Sequence, residues 1–148
     1  MINRVLLLSW EYPPVIEGGL ARHVRKLAEG LVRQGVAVDV LTRAVSDRSD
    51  VGEAGAWASG GVSVHRVGEP SWPRDLDRFV AWVERMNDDM LAAGESLGEQ
   101  HAYAVVHGHD WLVAHASAAL AQRLEVPYVT TIHATEHGRH GVRARWRG

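Results

Sequence analysis

Three short stretches of this chain concentrate residues able to do chemistry. The first, VLLLSWEYPPVIEGGLARHV from Val5 to Val24, runs from an apolar segment through a proline-broken loop to a glycine pair and an amphipathic segment. Gly18 and Gly19 carry no side chain, so a ligand oxygen can approach the backbone closely. The N–H groups of Gly19, Leu20 and Ala21 open a helix, and a helix N-terminus favours an anion by about 0.3–1 kcal/mol. The pattern predicts a site for a phosphate-bearing small molecule. A tight turn before a helix is the plainer alternative. The fingerprint G-x-G-x-x-G is absent, which argues against an NAD-binding unit.

The second stretch is HGHDW, with His107, His109 and Asp110 just after an apolar run. Histidines two apart on a strand point to the same side, which suits a metal pair. The competing reading packs one histidine in a crevice while Asp110 caps the next helix. We favour that reading, because no carboxylate–histidine set completes a metal site. The third stretch is TIHATEHGR, in which His133 ends a strand and Glu136, His137 and Arg139 follow in a loop. Such a cluster suits sugar hydroxyls, or a phosphate held bidentately by the arginine. A solvated polar loop is the alternative. Trp10 and Trp111 flank two of these motifs and either line a sugar site or pack inside; packing is favoured for each.

Strands alternating with helices must position these motifs. Arg4–Ser9 is continuously apolar, as a central parallel strand is. Leu20–Gln34 places Leu20, Val24, Leu27, Ala28 and Leu31 on one helical face, and Gly35 ends it. Val36–Leu41 is a second strand, and residues 43–61 read as a polar surface loop. Val62–Val67 alternates as a third strand. Asp75–Ala93 is a second helix with Leu76, Phe79, Val80, Val83, Met86 and Met90 on one face. Ala104–His107 is a fourth strand, and Asp110 caps a largely apolar helix over Trp111–Leu124. Tyr128–Ile132 is the fifth strand. The expected fold class is α/β, a doubly wound, Rossmann-like parallel sheet in the order 3-2-1-4-5, with a crevice between strands 1 and 4.

The chain has 148 residues, 46% of them apolar, enough for one domain with a real core. With 16 basic and 18 acidic side chains and a net charge of −2, nothing points to nucleic acid as a partner. Cysteine is absent, which removes disulfides, thiolate catalysis and cysteine-type zinc sites. The apolar run Val5–Leu8 is too short to span a membrane, and Glu11 interrupts any signal-peptide pattern. A soluble, cytoplasmic protein is expected. The last strand is followed by His133–Gly148, which has no closing helix or sixth strand. Residues 1–148 therefore read as a single partial domain.

Together, SWEYPPVIEGGLARHV, VVHGHDWLVAHASAALA and VPYVTTIHATEHGR resemble the N-terminal domain of the family 4 retaining glycosyltransferases, across residues 1 to about 141. The likeness is greatest to glycogen-synthase-like α-glucan glucosyltransferases of actinobacterial type. The resemblance implies one half of a GT-B fold, in which two Rossmann-like domains close on a nucleotide sugar. It implies that Gly18, Gly19 and Leu20 lie against the donor diphosphate. Asp110 and His133 are the implied catalytic pair: Asp110 contacts the transferred sugar or the acceptor, and His133 sits beside the donor sugar. His109, Trp111, Glu136 and Arg139 are the implied sugar or acceptor contacts. No metal or other cofactor is implied, because protein cations and helix ends neutralise the leaving diphosphate.

The sequence departs from the family in two respects. The C-terminal domain, with its Arg/Lys pair and E-x7-E motif, is absent, so the implied partners are a nucleotide-sugar donor, a glucan-type acceptor and that missing domain. Glu17 stands where glycogen synthases often carry a lysine. Half a donor site predicts no useful catalysis by the chain alone, since positioning supplies about 7–11 kcal/mol of a barrier. Two other functions stay open: a metal-dependent hydrolase using His107, His109 and Asp110, and a non-catalytic phosphosugar- or nucleotide-binding module.

Overall fold

The computed structural model describes residues 2–44, 56–70, 75 and 77–133, with residues 56–59 as backbone only. The elements run β1 (Arg4–Leu8), α1 (Gly19–Arg33), β2 (Ala37–Arg43), β3 (Ala56–Ser59), β4 (Val62–Val67), α2 (Phe79–Gln100), β5 (Val105–His109), α3 (Ala114–Leu124) and β6 (Tyr128–Thr131). They form one sheet in the order β3-β4-β2-β1-β5-β6. All pairings are parallel except β3 against β4. The expected order of the five parallel strands therefore holds, and β1 and β5 lie side by side.

Both faces of β1 are covered, so that strand needs no polar side. Val5 and Leu7 of β1 join Val24 and Ala28 of α1, Val38, Val40, Val62 and Val64 in one core. Leu6 and Leu8 point the other way and join Met86 and Met90 of α2 and Leu120 of α3. Four consecutive apolar residues in β1 are thus the signature of a strand buried on both sides. The α1 helix closes as expected: Gly35 takes φ +83°, its N–H donates to Val32 O (2.9 Å), and the Val36 N–H donates to Leu31 O (3.0 Å).

Three expectations need correction. The stretch read as a loop over residues 43–61 contains β3, which forms a hairpin with β4 around Gly60 and Gly61, both at positive φ. A two-residue turn of that kind selects glycine at both positions. Helix α2 starts at Phe79 rather than Asp75 and runs to Gln100 rather than Ala93. Its start is delayed because Asp75 Oδ1 accepts from the Arg78 N–H (2.8 Å) and holds a turn ahead of the helix. Its far end persists because Gly94 and Gly98 do not break it: a Cβ there would lie 2.4 Å from Leu120 Cδ1 and from Leu124 Cδ2, so α3 packs directly on the bare backbone. The buried face is Trp82, Met86, Asn87, Met90, Gly94 and Leu97, whereas Val80 is 67% exposed. Leu76 lies outside the described residues. Third, Asp110 caps a single 3-10 turn, Trp111–Val113, before α3 begins at Ala114. Among the described residues, no helix is long and apolar enough to cross a membrane.

Candidate functional site

Strand register decides where the histidines go. Leu7 pairs with His107 and Leu8 with Gly108 in the β1–β5 ladder. His107 and His109 therefore share Leu7's face of the sheet, the one covered by α1. Gly108 faces α3 and must stay bare, since a Cβ would lie 2.5 Å from Ser117 Oγ. The two imidazoles stack with centroids 4.1 Å apart. His107 Nε2 is 2.8 Å from Thr131 Oγ1 of β6. His109 is fully buried, and among the described residues neither ring nitrogen has a hydrogen-bond partner.

Helix α1 adds a histidine that sequence reasoning missed. His23, one turn into α1, lies 6.0 Å from His109 and 4.7 Å from His133, centroid to centroid. His133 lies 5.8 Å from His109. The signal was present: one turn after a glycine pair at a sheet edge, a helical side chain overhangs the crevice. Burial, reinforced by His107, His133 and His23, holds His109 down to about 3, so it stays neutral at physiological pH. Burial and the neighbouring His23 and His133 lower His107 as well.

The N-terminus of α1 is built differently from the expectation. The Ala21 N–H, expected to face a ligand, donates instead to Glu11 Oε1 (2.9 Å), and the Glu17 N–H donates to Glu11 Oε2 (2.6 Å). Glu11 is 1% exposed. A carboxylate of the chain thus already occupies the inner part of the helix N-terminus, as the dipole favours. Gly18 and Gly19 remain at the surface, and a Cβ on either would meet nothing within 4 Å. Glu17 turns to Arg43, whose guanidinium also binds Glu69 (2.9 Å) and lies 4.8 Å over the Trp10 ring. Arg43 is buried, so the pair fixes the residue before the glycines to the end of β2. Arg66 braces the same loop by donating to Pro13 O (2.7 Å) and Arg43 O (3.1 Å).

Asp110 holds the opposite wall. Its φ of 68° and ψ of 170° fall in a region that L residues rarely adopt. The strained backbone is held from both sides: the Asp110 N–H donates to Thr131 O (2.8 Å), and Asp110 Oδ1 accepts from the Trp111 N–H (2.9 Å). Its carboxylate is thereby fixed at the mouth of the β1–β5 crevice.

A cleft of about 470 Å³ opens there. It is lined by Trp10, Glu11 and Glu17 from the segment after β1, Gly18, Gly19 and Leu20 from the start of α1, Asp110, Trp111 and Leu112 from the segment after β5, and Phe79 and His133. Trp10 meets the buried Trp82 edge-on at 6.5 Å, and Trp111 meets Phe79 edge-on at 6.2 Å. Both tryptophans are partly buried: they pack, as expected, while also lining the cleft. The structure thus gathers Gly18, Gly19, Leu20, Asp110, Trp111 and His133 around one space, with His109 buried 5.8 Å behind His133. Glu136, His137 and Arg139 lie outside the described residues. The trio His107, His109 and Asp110 is not assembled: His107 is turned to Thr131 and Asp110 to the Trp111 N–H.

Comparison with known proteins identifies the family and the fold. The chain is 42% identical over 144 residues to a glycogen synthase of Mycobacterium tuberculosis, covering 93% of the chain and 35% of that protein. It is 34% identical over 128 residues to a D-inositol 3-phosphate glycosyltransferase of Frankia alni, covering 86% and 30%. It spans about a third of the length of the curated relatives it matches. Among solved structures, the sucrose-phosphate synthase of Thermosynechococcus elongatus superposes with a TM-score of 0.67 at 20% identity, over 89% of this chain and 33% of that one. That likeness carries the fold, one Rossmann-like domain of a GT-B architecture. Residues 18–148 match the family model described as a glycosyl transferase 4-like domain, and the chain belongs to that family.

Proposed function

We propose that this chain is the acceptor-side domain of a retaining hexosyltransferase, which moves glucose from a nucleotide sugar to a neutral α-glucan-type acceptor. The single observation that carries the reading is the cleft at the carboxyl ends of β1 and β5, where the glycine pair faces Asp110 and His133. Gly18, Gly19 and the Leu20 N–H form the seat for the donor diphosphate. His133 lies beside the donor sugar, with Asp110 across the cleft to hydrogen-bond its hydroxyls or those of the acceptor. Trp111 completes the sugar wall, His109 supports it from behind His133, and Glu136 and Arg139 extend it. Turnover requires the partner Rossmann domain, which supplies the cations that meet the leaving diphosphate, and the transfer itself uses no metal.

The chemistry of the walls favours a neutral acceptor over a phosphorylated one. Among the described residues the lining carries the carboxylates of Glu11, Glu17 and Asp110, with His133 the one basic side chain. Glu11 and Glu17 are matched internally by N–H groups and Arg43, so outside the diphosphate seat the described lining offers a phosphomonoester only His133. Trp10, Phe79 and Trp111 offer the apolar faces that sugar rings pack on. The relatives divide along this line, one a glycogen synthase and the other an inositol-phosphate glycosyltransferase by name.

The test is hexose transfer by the chain joined in one polypeptide to a matching second domain of the family. A panel of nucleotide sugars would be offered with a maltooligosaccharide or with inositol phosphate. Transfer to the oligosaccharide, lost in His133→Ala, is expected. Transfer to inositol phosphate alone would overturn the acceptor assignment. Binding without any transfer would leave a phosphosugar-binding module.

A further inference from the structure

Four imidazoles converge at one end of the sheet, and the transfer reaction uses only part of that set. His23 comes from α1, His109 from the end of β5, and His133 from the segment after β6. One ring nitrogen from each lies within 4.8 Å of the other two. Nitrogens sharing a tetrahedral ion through bonds of about 2.0–2.1 Å stand roughly 3.4 Å apart. The cluster therefore closes on an ion with side-chain movements on the order of 1 Å. His23 and His133 are exposed and free to make them, while His109 is fixed.

His109 gives the second, independent sign. It is fully buried, and both its ring nitrogens lack a hydrogen-bond partner among the described residues. A buried polar group left unpaired costs about 1–3 kcal/mol, and nearly all such groups find partners. Its surroundings are Leu7's face of the sheet and the rings of His23, His107 and His133. None of these relieves it; a shared ion would engage one of the two nitrogens. His107 stacks behind His109 and is itself held by Thr131, so it orients the buried ring and does not serve as a ligand.

We propose that His23, His109 and His133 form a binding site for one borderline divalent transition-metal ion, of the Zn²⁺, Ni²⁺ or Cu²⁺ class. Among the described residues the site has three imidazoles and no carboxylate, a set that suits these ions and disfavours Mg²⁺ and Ca²⁺, which take oxygen ligands. Water or another small ligand completes the tetrahedral shell at the fourth position. The site stands on the histidine geometry alone and does not depend on the transfer reaction.

The test is direct metal binding by the chelator-treated chain, with no sugar present. Co²⁺ is titrated while its ligand-field absorption is recorded, and Zn²⁺ is titrated by calorimetry. The expected result is one ion per chain, with intense tetrahedral Co²⁺ bands and no response to Mg²⁺. His23→Gln changes an exposed residue and should leave the fold intact by circular dichroism. It should weaken binding by at least the ~10–100-fold that loss of an outer-shell partner costs. His133→Gln should do the same, and His115→Gln, on the exposed face of α3, should change nothing. Absence of saturable binding would overturn the proposal. So would binding that survives both His23→Gln and His133→Gln.

Discussion

Replacing Glu11 should expose how the glycine loop is held. Its two carboxylate oxygens accept from the Glu17 and Ala21 N–H groups at 2.6 and 2.9 Å, in a site 1% exposed to solvent. In Glu11→Gln one oxygen can still accept, but the new NH₂ must face the other N–H, donor against donor. One charge-assisted bond, worth about 1.5–3 kcal/mol, is lost and a buried donor is stranded. Removing a negative charge from a helix N-terminus costs about 0.3–1 kcal/mol more. The expected loss is therefore about 2–4 kcal/mol, read by urea unfolding followed by circular dichroism. For a domain of this size that corresponds to roughly 5–15 °C in Tm. Glu11→Ala should lose as much or more, but it also vacates an anion seat. Sulfate or phosphate should then restore part of the lost stability in Glu11→Ala and do much less for the wild-type chain. A Glu11→Gln variant within about 0.5 kcal/mol of wild type would refute the reasoning, since surface changes alone produce that much.

Three further outcomes follow from the packing and the buried charges. Gly94→Ala should destabilise by about 1–3 kcal/mol, because Leu120 is fully buried and cannot yield, whereas Gly98→Ala should be near neutral, because Leu124 is partly exposed and a helix gains about 0.8–1 kcal/mol on losing glycine; thermal melts of the two variants check this. Asp39 should confer an acid limit: burial alone would raise it, but hydrogen bonds from His65, Arg4 and Tyr103 override burial and hold it at about 2 instead of 3.8. A folded-state value below the unfolded one means stability of about 2 kcal/mol that is complete above roughly pH 4 and lost as pH falls toward 2, and Asp39→Asn should remove that dependence in urea melts across the range. Asp110→Gly should relieve the backbone at φ 68° while removing the carboxylate, so the chain should unfold at a similar denaturant concentration yet bind sugar at least tenfold more weakly, checked by paired melts and titrations.

The parallel framework was legible because both of its faces are buried. VLLL can be satisfied only by a two-sided core, and Gly35 could end α1 as it does because only a residue tolerant of positive φ fits there. The crevice followed from strand order, and with it the common location of Gly18, Gly19, Asp110 and His133. What escaped the sequence depended on long-range partners. Glu11 caps a helix ten residues away, and no local pattern announces that. Arg43 looks like a surface residue until Glu17, Glu69 and the Trp10 ring surround it. Read from sequence alone, α2 ends at Ala93, ahead of Gly94 and Gly98, because the partners of these glycines, Leu120 and Leu124, lie on another helix. Two signals were local and still missed: Gly60–Gly61 marks a hairpin, and His23 sits one turn beyond the glycine pair.

The central claim, that this domain's cleft receives a neutral sugar chain, is tested most directly by titrating the chain with a maltooligosaccharide while following tryptophan fluorescence. Trp10 and Trp111 line the cleft, so occupancy should perturb their emission. The account predicts a saturable change with the oligosaccharide, abolished in Trp111→Ala, and none with inositol phosphate. Saturable binding of inositol phosphate with no response to the oligosaccharide would contradict it.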